Sequence, residues 1–118
     1  MERITDTEAK AYRLGLLGEM KAEAYLKKNG IRILKRRFRS GGGEIDLIGE
    51  DQEIICFIEV KYRPRGVPGE GLRAVDSRKI ERIRKTAAAY MKGKKERPVR
   101  YDVLEIAAAG ITYLRNAF

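Results

Sequence analysis

The apolar and polar positions divide the chain into seven elements. Residues 6–28 lack proline and are rich in Ala, Leu, Glu, Lys and Met. Thr5-Asp6-Thr7-Glu8 precedes them in the S/T-x-x-E form of a capping box, and Asn29-Gly30 follows as a stop, which predicts a helix from about Asp6 to Lys28. Within it Gly15, Gly18, Ala22 and Leu26 recur at helical spacing, a stripe of small residues suited to close approach of another element. Glu19 lies one turn from Gly15 on that stripe; spacing alone leaves open a second reading, a half-exposed glutamate bordering the core.

Ile31-Arg32-Ile33-Leu34 reads as a strand continuing into Lys35-Arg36-Arg37-Phe38-Arg39, and Ser40 to Gly43 as a turn. Gly43–Lys61 then reads as two strands joined by a short acidic turn at Glu50-Asp51-Gln52-Glu53. Alternation places Glu44, Asp46 and Ile48 on one face of the first strand and Ile45 and Leu47 on the other. In the second strand Ile54, Cys56, Ile58 and Val60 form an apolar face, while the opposite face runs Glu53, Ile55, Phe57, Glu59, Lys61. Ile55 and Phe57 imply that this face is covered too, leaving Glu59 and Lys61 at the rim of a cleft.

A connection of two or four residues puts Asp46 on one face with Glu59 as a near or diagonal cross-strand neighbour; an odd-length connection without a bulge separates them. Like charges at that range are unfavourable unless a cation lies between them, and hard carboxylate oxygens suit magnesium. Tyr62 to Leu72, with two prolines and three glycines, reads as a loop. A second helix is expected from Asp76-Ser77 to about Lys92, with Ile80, Ile83, Ala87, Tyr90 and Met91 buried and Arg78, Lys79, Arg82, Lys85 and Thr86 flanking them. Val99–Ile106, with Asp102 inside it, and Ile111–Leu114 complete the set as strands. The order α-β-β-β-α-β with one terminal strand requires a parallel crossover through the second helix, hence an α/β domain with an open mixed sheet flanked by helices.

Charge sharpens this picture. The net charge is +9, and residues 61–100 alone carry 14 basic and 4 acidic side chains, whereas residues 1–60 balance at 11 and 11. A positive field that begins where the acidic hairpin ends calls for a polyanionic partner, nucleic acid first. The candidate contacts are Arg37 and Arg39 on the first strand, Arg63 and Arg65 at the loop, and Arg78, Lys79, Arg82 and Lys85 on the second helix. For the first-strand bases, a charged edge that discourages aggregation explains them equally well. With no histidine and a single cysteine, Cys56, the sequence excludes zinc sites of the usual ligand types and Ser-His or Cys-His hydrolases. Cys56 reads as a small buried hydrophobe. The N-terminal residues carry no apolar signal region and no run reaches membrane-spanning length, so the expectation is a cytoplasmic protein of one domain, 1–118, without membrane contact.

Asp46 followed by Glu59-Val60-Lys61 resembles the PD-(D/E)xK nuclease signature of restriction-endonuclease-like folds. The wider pattern is more specific: Gly15-x-x-Gly18-Glu19, Gly43-Glu44-Ile45-Asp46-Leu47-Ile48, Phe57 to Arg63, Lys79, Arg100-Tyr101-Asp102-Val103 and Asn116-Ala117-Phe118. Over nearly the whole chain it resembles the YraN-like family of small bacterial proteins, predicted nucleases similar to archaeal Holliday-junction resolvases. Glu44-Ile45 stands where the name motif has its proline. The resemblance implies a restriction-endonuclease-like αβββαβ core and an endonuclease dependent on Mg2+ or Mn2+ that hydrolyses DNA phosphodiester bonds, on branched or recombination intermediates. It makes Asp46, Glu59 and the Val60 carbonyl metal ligands, with Glu19 completing the site through water. Lys61 would orient or deprotonate the attacking water and stabilise charge on the phosphate. Glu44 would assist, or instead pair with a nearby arginine. Junction-cutting enzymes need paired sites, which is compatible with a homodimer. The alternatives are a non-catalytic nucleic-acid-binding protein that keeps the nuclease fold, and a basic protein that docks on RNA without metal.

Overall fold

In the computed structural model, residues 6–63, 65 and 76–118 are described, with side chains in the first helix described at 13 and from 15 onward. The first helix, α1, spans Asp6–Lys28. Its capping box lies mostly outside the described residues, but its stop is plain. Gly30 adopts φ +83°, a conformation costly for any side chain with a Cβ. This lets the Gly30 and Ile31 N–H groups reach back to the carbonyls of Lys27 and Leu26, at 3.1 and 2.9 Å. The pair of bonds satisfies carbonyls that the helix end leaves free, and Ile31 and Leu26 pack together in the core beside it.

Five strands follow, β1 (Arg32–Ser40), β2 (Gly43–Asp51), β3 (Ile54–Arg63), β4 (Val99–Ala107) and β5 (Gly110–Leu114), with a second helix, α2 (Ser77–Met91), between β3 and β4. They form one open mixed sheet in the order β1-β2-β3-β4-β5, parallel only between β3 and β4. β3 extends through Tyr62 and Arg63, which the proline and glycine content had assigned to a loop. The rest of that loop, Arg65 apart, lies outside the described residues. Asp76 caps α2 by accepting the Lys79 N–H at 2.9 Å.

Each face of the sheet carries a helix, because β3 is apolar on both sides. Cys56 and Ile58 pack with Leu47, Leu104 and the α1 residues Ala22 and Leu26. Ile55 and Phe57 pack with Ile45, Ile48 and the α2 residues Ile83 and Ala87. Burying each of these large side chains is worth about 1.5–3 kcal/mol, so the two clusters fix β3 as the central plank. Cys56 is fully buried and its thiol is pushed up to about 12, by burial first and then by the Asp102 charge. The small-residue stripe works as expected at Gly18, where an added Cβ would lie 2.7 Å from the Cβ of Tyr62; α1 therefore rests directly on β3. Gly15 does not belong to it, being exposed with nothing nearby. Thr86 is also reassigned: it is buried, donates to the Arg82 carbonyl at 2.9 Å and packs against Gly43, so it belongs to the α2 packing surface.

Candidate functional site

The β2–β3 turn consists of Gln52 and Glu53, with Asp51 opposite Ile54. This two-residue connection gives the register that brings Asp46 level with Glu59. The ladder nevertheless stops one step earlier, at Leu47↔Ile58. Beyond that point β2 continues with β1 as far as Gly43, and β3 continues with β4 as far as Arg63. The two strands thus diverge into a fork, and the backbone N–H of Val60 is satisfied by the Asp46 side chain, donating to Oδ2 at 2.8 Å.

Strict alternation fails at the same place. Ile45 packs with Ile48 on the α2 side while Leu47 packs on the α1 side, so Ile45 and Leu47 do not share a face. The reason lies across the ladder, where Arg36 pairs with Leu47, Phe38 pairs with Ile45, and Arg37 between them sits at φ +50°. A left-handed residue opposite Asp46 breaks the pleat of both strands.

Asp46 and Glu59 stand at this fork with two lysines, and the charges of Glu19 and Glu44 act on Asp46 from further out. Asp46 is pushed up to about 7, by burial first and then by the Glu59 charge; the Val60 N–H opposes the shift, and Glu19 and Glu44 add to it. Glu59, only 10% exposed, receives Lys79 Nζ at 2.7 Å and Lys61 Nζ at 3.4 Å, both on Oε1. Burial lowers the Lys61 pKa, and the adjacent Lys79 lowers it further against the pull of Glu59. Lys79 moves the other way: burial opposes its charge, but its bond to Glu59 and the nearby Asp46 charge raise its pKa.

Glu19 reaches the fork electrostatically from α1, yet its carboxylate is held by Arg37, Nε to Oε2 at 2.8 Å. Beside it Arg36 grips Glu23, with Nε to Oε2 at 2.7 Å, and holds that carboxyl down to about 2. Glu44 pairs with Arg39 at 3.2 Å, the ion pair foreseen as its alternative role. Among the described residues no three acidic, histidine or cysteine side chains form a ready metal cluster. The donors able to hold a divalent cation are the Asp46 and Glu59 carboxylates with the Val60 carbonyl, a hard-oxygen set whose mutual repulsion raises Asp46.

The predicted phosphate contacts separate into two groups. Arg37 faces Glu19, Lys85 pairs with Glu81 at 3.4 Å, and Lys79 turns inward to Glu59. Arg65, Arg78 and Arg82 are exposed, and Arg63 is part-buried at the end of β3. Lys79 and Arg82 line a recess of about 230 Å³ with Gly42, Gly43, Glu44 and Ile83, between the β1–β2 turn and α2. Sequence reasoning missed Glu105, which is 1% exposed and stands in parallel register with Lys61, so that both side chains leave the sheet on one face. The available signal was a lone acid in the apolar run Val103-Leu104-Glu105-Ile106.

A family model described as "Uncharacterised protein family UPF0102" matches residues 18–106. The chain belongs to this family. Among UPF0102 relatives, a protein of Persephonella marina is 42% identical, covering 88% of this chain and 91% of its own length. One from Moorella thermoacetica is 38% identical over 90% and 95%, and one from Campylobacter jejuni is 48% identical over 69% and 70%. The UPF0102 match contains Gly18, Glu19, Asp46, Glu59, Lys61, Lys79 and Glu105, the whole fork included. Among the described residues of this UPF0102 chain no helix is long and apolar enough to cross a membrane.

Proposed function

We propose that this UPF0102 protein is a metal-dependent endonuclease acting on DNA, built on a restriction-endonuclease-like core of the YraN type. The observation that carries the reading is the fork itself, where β2 and β3 part, the Glu59 charge acts on the buried Asp46, and two lysines lie on Glu59. A buried carboxyl raised by a second acid beside it, at the end of a ladder, is the arrangement that marks a candidate functional site.

Asp46 and Glu59, with the Val60 carbonyl, would hold Mg2+ or Mn2+. When bound, that cation supplies Lewis-acid polarisation and charge neutralisation at the scissile phosphate. The chain's own groups do the rest. The Val60 N–H fixes the Asp46 carboxylate, and the low-dielectric fork strengthens each charge in it. Lys61 presents an N–H donor where negative charge develops on the phosphate, and its lowered pKa suits proton exchange with the attacking water. One observation favours the alternative of a nucleic-acid-binding protein that keeps the fold without cleaving: Glu19 is engaged by Arg37 and so is turned to an ion pair.

Incubation of purified protein with supercoiled and branched DNA separates the two. Nicking is expected with magnesium or manganese and not with EDTA, and Lys61→Ala should slow it by roughly 10²–10³-fold, the cost of losing one positioned donor. Binding without cleavage in any metal, or equal cleavage by Lys61→Ala, would select the alternative or sink the assignment.

A further inference from the structure

Two ammonium groups converge on one carboxylate oxygen. Lys79 and Lys61 both approach Glu59 Oε1, at 2.7 and 3.4 Å. Both ammonium groups draw on that single oxygen, so neither has the carboxylate to itself and each keeps charge to offer elsewhere. The two lysines differ in where that charge can go. Lys61 is on β3 and 17% exposed, whereas Lys79 is 29% exposed, sits in the first turn of α2, and lines the recess against the β1–β2 turn.

That recess has the features of a phosphate seat. Arg82 lies three residues on from Lys79, on the same side of α2, and is exposed. The opposite wall is the backbone of Gly42 and Gly43, where no side chain keeps an incoming chain at a distance. Gly43 is pressed against Thr86, so the wall is fixed to α2. Its one acid, Glu44, is already matched by Arg39. The first turn of α2 carries no acidic residue to compete.

We propose that Lys79 is a shared cation: it neutralises Glu59 in the nucleic-acid-free protein and exchanges to a backbone phosphate of the bound strand, seated with Arg82 against the Gly42–Gly43 turn. The inference rests on the nucleic-acid reading of the site, and it names a positioning residue and a subsite beside the reacting position. Its consequence is a competition. Glu59 and the phosphate draw on the same ammonium, so weakening one claim strengthens the other.

Fluorescence anisotropy with a labelled DNA oligonucleotide, in EDTA so that neither cleavage nor metal enters, tests this as a double-mutant cycle. Lys79→Ala should weaken binding about 3–10-fold and reduce the salt slope by about one, as loss of a single phosphate contact does. Glu59→Gln, which frees Lys79, should tighten binding by a similar factor. In Glu59→Gln/Lys79→Ala that gain should vanish. Should Lys79→Ala fail to show the cooperative melt of the parent, Lys79→Gln, which keeps most of the stem, replaces it in the same cycle. Tightening by Glu59→Gln of equal size with and without Lys79 overturns the proposal, since it reduces the effect to overall charge; so does an unchanged salt slope in the lysine variant. Either result leaves metal-dependent cleavage standing. Coupling in EDTA without cleavage in manganese would remove the nuclease reading and keep the subsite. A parent protein that binds no DNA overturns both.

Discussion

Asp46→Asn is expected to lower metal-dependent cleavage by about 10³-fold or more and, at pH 8, to raise the melting temperature. The first half follows from the proposed function, in which asparagine removes an anionic metal ligand: metal stabilisation of the transition state is worth several kcal/mol and each 1.36 kcal/mol is a factor of ten. The second half follows from linkage. The Asp46 carboxyl has an ordinary value of 3.8 and is pushed up to about 7 in the fold, by burial and by Glu59. The folded state therefore binds this proton more tightly than the unfolded state, and the contribution of Asp46 to stability declines as pH rises from about 4 to about 7, then levels off. Above pH 7 the metal-free protein carries a penalty of about 1–3 kcal/mol for ionising the group. Asparagine never ionises, and its carbonyl oxygen can still accept the Val60 N–H that Asp46 now accepts at 2.8 Å. For a domain of this size about 1 kcal/mol corresponds to several degrees. Melting curves of both proteins in EDTA should separate by that amount at pH 8 and converge near pH 4. A variant equally destabilised at both pH values would make Asp46 a structural clamp for Val60 and nothing more.

Asp102→Ala should cost about 3–5 kcal/mol, most of the stability of a domain this small. Asp102 is fully buried in β4, and both of its oxygens are used. Oδ1 accepts from the Asn116 N–H and from Arg100 Nε, each at 2.9 Å; Oδ2 accepts from Arg100 Nη2 at 3.0 Å and from the Tyr113 hydroxyl. Arg100 reaches on to Asp51 at the end of β2, at 3.0 Å. Burial works against its charge, but the bonds to Asp102 and Tyr113 hold its pKa above the usual range. Truncating Asp102 leaves a guanidinium only 13% exposed without its main counter-charge and frees the Asn116 N–H. The same change loosens β4, the parallel neighbour that sets Val103 beside Glu59 and Glu105 beside Lys61. Urea denaturation should show a lower midpoint with an unchanged slope. A loss below about 1 kcal/mol would show that desolvation of the network nearly cancels its bonds.

Much of this architecture was legible because its signals are local. Asn29-Gly30 ends α1 through a bond pattern confined to residues 25–31, and the two-residue turn at Gln52-Glu53 fixes the β2–β3 register over its length. Period-two reading of β3 separated Cys56 and Ile58 from Ile55 and Phe57, and two helices cover those faces. The failures occur where geometry comes from a distant residue. Ile45 and Leu47 part company because Arg37, eight or more positions away, turns left-handed opposite Asp46. The charge of Glu19 acts on Asp46, but its bond to Arg37 depends on how α1 crosses β1, which no spacing encodes. In the sequence Lys79 is a candidate phosphate contact on a basic helix face and one point of the family pattern. Its inward bond to Glu59 follows from the docking of α2. Glu105 escaped notice because a strand pattern shows which face a residue takes and not which neighbour a parallel crossover brings to it.

On the proposed function, the fork between β2 and β3 is the seat of a divalent cation held by Asp46 and Glu59. Anomalous diffraction from crystals soaked in manganese tests it most directly. A peak is expected at the fork, liganded by both carboxylates, with Lys79 drawn away from Glu59, and no such peak in Asp46→Asn. A fork without manganese at saturating metal, with Lys79 still on Glu59, or manganese bound only elsewhere on the protein, would contradict it.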